Sequence, residues 1–100
     1  MEIVKLKGFF PDLDNLTSRY KGLVIRKTIE KALEKGNKVI IDFEGFDLIT
    51  QSFGDEIIGV IIRSKGVEFV KNHISVININ GQIKDVLNFV ASYSKRMRIA

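Results

Sequence analysis

One hundred residues make room for one hydrophobic core, and 45% hydrophobic content with charges interspersed excludes an intrinsically disordered chain. The absence of cysteine excludes disulfides and thiolate metal sites. No apolar run reaches membrane-spanning length and no leader-like segment is present, so the sequence reads as cytoplasmic, with no membrane partner. The net charge of +4 is spread from Lys5 to Arg98, with one cluster at Lys95-Arg96-Met97-Arg98. Scattered, such charge is a solvated exterior; gathered on one face, it would mark a nucleic-acid surface.

In chain order, Glu2 to Lys7 alternates polar and apolar residues and predicts a half-exposed strand, antiparallel or at a sheet edge. Gly8 to Asn15, with Pro11, Asp12 and Asp14, predicts a loop. Thr17 or Ser18 is the N-cap of a helix running to about Lys35. Val24, Ile25, Thr28, Ile29, Ala32 and Leu33 form its buried face, Arg26/Glu30 and Lys31/Glu34 its charged one, and Gly36 its left-handed stop. Lys38 to Phe43 is apolar on both sides, which predicts a central strand covered on two faces.

A second helix is expected from Phe53 to Ser64, closed near Gly66, with more apolar content than one stripe requires. His73 to Ile79 predicts a third strand that His73 enters, and Asn80-Gly81 opens a last helix through about Ser94. The order β-α-β-α-β-α makes this a single α/β domain over residues 1–100, with a mainly parallel sheet of four strands or fewer and about three helices.

The start of the second helix concentrates the chemistry. Ser52 is read as its N-cap, forming a capping box with Asp55, while Asp55 and Glu56 favour the positive helix end. On that reading Ser52→Ala loses about 1 kcal/mol. Arg19, at the start of the first helix, is a candidate fork to the acidic pair. Asp42, at a strand's C-terminal end, either caps the next loop through an Asx turn or sits where open α/β sheets place ligands. Catalytic and metal constellations are not found. There is no phosphate-binding glycine loop, His73 is the only histidine, and adjacent carboxylates on a helix diverge by about 100°. No enzyme activity, metal or cofactor is therefore expected. Phe89 and Tyr93, one turn apart and off the main stripe, either close the core's edge or face a partner or a second copy.

Val39-Ile-Ile-Asp-Phe43, followed by Thr50-Gln51-Ser52-Phe53, resembles the strand and D-S-S-G helix start of STAS domains, the fold of anti-sigma-factor antagonists. Ser52 falls on the phosphoacceptor position of that motif, while Thr50, Gln51 and Phe53 depart from it. The pattern Asp42-Phe43-x-Gly45 with Ser52-Phe53-x-Asp55-Glu56, and an upstream Ser18-Arg19 pair, is closer to the STAS-like family of mostly unassigned function. Against the full STAS fold, the sequence ends after the third long helix, without a final edge strand and helix.

The resemblance implies a STAS-like sandwich and a non-enzymatic regulatory module in an anti-sigma-antagonist-like signalling system. Its partner would be a protein, such as a histidine-kinase-like ATPase or a sensor, docked at the second helix start. The roles implied are Ser52 as cap and candidate phosphoacceptor, Phe53 as apolar anchor, Asp55 and Glu56 as charged contacts, and Arg19 as organiser. The alternative is a nucleic-acid-associated factor using the basic surface and the tail from Lys95 to Ala100.

Overall fold

The computed structural model describes residues 1–98. β1 (Glu2–Lys5), β3 (Val39–Asp42) and β5 (Ile74–Ile77) form a parallel sheet in the order β1-β3-β5. The register aligns Val4, Ile41 and Val76 across it. β1 is thus an edge strand and parallel, which settles the two alternatives for its placement. It ends at Lys5, because Leu6 is fully buried within a one-turn helix, α1 (Leu6–Phe9), where strand and loop were expected.

α2 (Arg19–Glu34) packs Ile25, Ile29 and Ala32 into the core. Ser18 caps it, its hydroxyl accepting from the Lys21 N–H at 3.1 Å. Gly36 follows at φ +81°, a conformation that a Cβ penalises.

One face of the sheet carries the core: Val4, Val39, Ile41 and Ile74 are all buried. Two-sided coverage is not what forms. The opposite face holds Ile3 at 58% exposure, half-buried Ile40, exposed Ser75 and Ile77 at 40%. Ile40 therefore makes β3 look doubly buried in sequence while facing a largely open surface.

Two elements that periodicity does not reveal position the site. β2 (Asn15–Leu16) and β4 (Leu48–Ile49) pair in parallel as a separate two-stranded ladder. Gln82 then acts as a third partner to β4: its side chain accepts from the Ile49 N–H at 3.0 Å and donates to the Ile49 carbonyl at 2.9 Å. β4 feeds at once into a helical rod made of α3 (Gln51–Gly54), a π-helical stretch (Asp55–Gly59) and α4 (Val60–Lys65).

After Gly66, at φ +97°, comes α5 (Val67–His73), a helix where the chain was expected to pass directly to a strand. His73 closes α5 instead of entering β5. Its Nδ1 lies 2.8 Å from the Phe69 carbonyl and its ring stacks on Phe69 at 4.1 Å. α6 (Gly81–Met97) is capped by Asn80 as expected and buries Ile83, Leu87, Val90 and Ser94.

Candidate functional site

The rod starts two residues earlier than the sequence suggests, and this changes its cap. Thr50 is extended (φ −90°, ψ 163°) and its hydroxyl accepts from the Phe53 N–H at 3.3 Å. Ser52 already lies inside the helix, so the Ser52–Asp55 capping box does not form. Thr50→Ala is accordingly expected to lose about 1 kcal/mol in urea unfolding, and Ser52→Ala less than about 0.5 kcal/mol. The reverse ranking would return the cap to Ser52.

Asp55 and Glu56 open the π-helical stretch, where the Val60 N–H reaches the Asp55 carbonyl. Such stretches insert a residue into a helix and re-aim the side chains around it. Here both carboxylates turn into a cluster of arginines. Arg63, two turns further along the rod, forks onto Asp55 with bonds of 2.7 and 3.1 Å, and also donates to the Ser94 hydroxyl of α6 at 2.9 Å.

Arg26 of α2 donates to Glu56 at 3.0 Å and pairs with Glu30 at 3.2 Å. Arg19 bridges the two acids, a single Nη1 reaching Asp55 and Glu56 at 2.8 Å each. Arg19 does reach the acidic pair as expected, but as a one-nitrogen bridge between two carboxylates and not as a two-nitrogen fork. Asp55 and Glu56 thus each hold two arginines, tying α2, the rod and α6 together. Arg26 Nε is buried without a partner among the described residues.

Two glycines make this closeness possible. A Cβ at Gly22 would lie 2.6 Å from Glu56 Cβ, and one at Gly59 would lie 2.8 Å from Ser94 Oγ. Arg63 and Arg19 hold the Asp55 carboxyl below the usual carboxylate range, against the opposing effect of burial. Asp42 is lowered too, first by the Asn78 amide and then by the Glu44 N–H, both at 2.9 Å. The Glu44 bond is the Asx turn anticipated for Asp42.

Arg19, Gln51, Ser52, Asp55 and Arg63 line one side of a groove of about 540 Å³, and Phe89, Tyr93 and Met97 of α6 line the other. The sequence-predicted residues separate here. Arg19, Ser52 and Asp55 reach the groove. Phe53 is fully buried and Glu56 is 7% exposed, so neither an apolar anchor nor a charged contact is offered by those two. Their expected roles are corrected: Phe53 packs the core and Glu56 fastens α2 to the rod. The exposed apolar surface lining the groove belongs to Phe89, Tyr93 and Met97 of α6.

The Arg26/Glu30 pair expected from sequence forms, but the reach of Arg26 to Glu56 and the whole role of Arg63 were not anticipated, although both arginines carried a signal. Arg26 lies seven residues after Arg19 on one face of α2, and Arg63 eight after Asp55 along the rod. The basic tail begins inside α6: Lys95, Arg96 and Arg98 are exposed, and the Arg98 guanidinium donates to the Arg63 carbonyl at 3.0 Å. Ile99 and Ala100, the end of the tail proposed for nucleic acid, lie outside the described residues.

Small parallel sheets with several helices make this an α/β domain, consistent with a STAS-like fold. Residues 21–84 match the STAS-like domain of unknown function (DUF4325), and the chain belongs to that family. The matched segment includes Gly22, Arg26, Asp55, Glu56, Gly59 and Arg63, while Arg19, Phe89 and Tyr93 fall outside it. Comparisons with curated proteins and with solved structures return no match. No helix among the described residues is long and apolar enough to cross a membrane.

Proposed function

We propose that this chain is a regulatory protein-interaction module of the cytoplasm, without catalytic activity, that binds a protein partner at the groove beside the start of the rod. The observation that carries this reading is the composition of that groove. Half-exposed Ser52 and the free side of Arg19 stand opposite the exposed rings of Phe89 and Tyr93. A polar rim next to solvent-facing aromatics is the composition that protein interfaces favour. The polar groups are also held in fixed geometry by the arginine cluster, which lowers the ordering cost of binding.

Ser52 is the modification point. A phosphate there adds a charge of about −1.5 to −2 beside Asp55 and Arg19, enough to change which partner the groove accepts. The family resemblance favours a histidine-kinase-like ATPase or a sensor protein as partner.

The test is capture of a protein partner by the tagged full chain from lysate of its own cells, with and without ATP. Arg19→Ala should reduce recovery about tenfold or more without unfolding the chain, since Asp55 and Glu56 each keep a second arginine. Ser52→Asp should shift recovery by a similar factor while the melting temperature stays near that of the parent. Recovery that ignores both substitutions would sink the assignment. So would recovery of nucleic acid instead, lost with salt or on removal of Lys95 to Ala100.

A further inference from the structure

α6 carries a row of side chains that the other described residues leave uncovered. Phe89 and Tyr93 are 52% and 45% exposed, and their rings stack at 6.5 Å with 12° between planes. At about 100° per residue, Asp85, Phe89, Tyr93 and Arg96 fall within roughly one quarter of the helix circumference, away from buried Ile83, Leu87 and Val90. Asp85 stands at the N-terminal end of this row and Arg96 at the C-terminal end, both exposed. Neither has an ion-pair partner among the described residues.

A row ordered acid, aromatic, aromatic, base is complementary to itself when a second copy runs antiparallel. We propose that this face of α6 is a two-fold interface through which two copies of the chain associate. A two-fold axis crossing the exposed row midway between Phe89 and Tyr93 sets Asp85 against the partner subunit's Arg96 and Phe89 against the partner subunit's Tyr93. Each of these contacts then occurs twice, as an isologous interface requires.

By the same helical geometry Lys84 and Lys95 fall on the far flank of α6, where they stay in water. One helix per subunit gives a contact at the small end of the range, below about 1,200 Å², so association is expected to be reversible on dilution. Phe89 and Tyr93 also wall the groove, so a second copy and a bound partner exclude each other.

Sedimentation velocity of the full chain over a dilution series tests this. The parent chain should pass from dimer to monomer mass on dilution. Asp85→Arg and Arg96→Asp should each weaken association about tenfold or more, because both symmetry-related pairs become repulsive. The double variant D85R/R96D should restore it, and all three should melt as the parent does. Three results would overturn the interface: a parent chain monomeric up to about 1 mM, a dimer that ignores the single reversals, or single reversals that the double variant does not rescue. Asp85 and Arg96 do not line the groove, so this interface and partner binding fail separately.

Discussion

Gly59→Ala is expected to lower stability by about 3 kcal/mol, although alanine for glycine inside a helix ordinarily gains up to about 1 kcal/mol. The sign is decided by what surrounds the new methyl group. It would sit 2.8 Å from Ser94 Oγ and 3.0 Å from Arg63 Nη1, and closer still to Asp55 Oδ1. Those three atoms are bonded to one another, with Arg63 Nη1 at 2.7 Å from the carboxylate and 2.9 Å from the hydroxyl.

Room for the methyl can come only from parting the ion pair or pushing α6 away. The first strands partly buried charge and the second opens the core around Val90. Gly22→Ala should behave alike on the other side of the rod, against Glu56 Cβ at 2.6 Å and the Phe53 carbonyl at 3.1 Å. Gly8→Ala meets nothing within 4 Å and should be neutral or slightly stabilising. Urea unfolding of the three variants reads the ranking directly. If Gly59→Ala matched Gly8→Ala, α6 would not be held against the rod as the distances imply.

The long elements are legible in the sequence because each carries both a period and its end signals. α2 has its apolar steps between Ser18 and Gly36, and α6 opens on Asn80. β2 and β4 have two residues each, too few to show any period, and exist because Gln82 and the Leu16 carbonyl hold the backbone around Ile49 and Thr50. Missing β4 is what displaced the cap from Thr50 to Ser52. α5 goes unread because its seven residues, between Gly66 and the strand expected from His73, are too few to show a helical period. Gly66, at positive φ, starts a new helix there, and the Phe69–His73 stack locks it.

The site was half legible. Ser18-Arg19 and Asp55-Glu56 stood out as local patterns, but their convergence across 36 residues is a tertiary fact. The interior glycines at 22 and 59 were the overlooked clue, since a helix keeps such residues where another element comes close.

Asp55→Asn is expected to lose about 2–3 kcal/mol near neutral pH and to flatten the acid limb of stability. The amide keeps the shape but offers no charge to the Arg63 fork, leaving a cation only about one-third exposed facing a neutral group. Partial solvent access at Arg63 keeps the loss below that of a fully buried pair.

The pH dependence follows from the direction of the shift. Arg63 foremost, then Arg19, hold the folded Asp55 carboxyl below its ordinary value of 3.8, so the unfolded chain takes up the proton first. The ion pair's contribution is therefore fully present above about pH 4 and is lost as pH falls through the lowered folded value. Asp42 is lowered by Asn78 and the Glu44 N–H, and it keeps its own share of the acid limb in the variant. Stability measured by urea unfolding from pH 7 downwards should show the parent and Asp55→Asn curves well separated above pH 4 and converging below it. Curves that stayed parallel into acid would mean that Asp55 titrates alike in the folded and unfolded chain. The arginine fork would then contribute nothing to holding α2, the rod and α6 together.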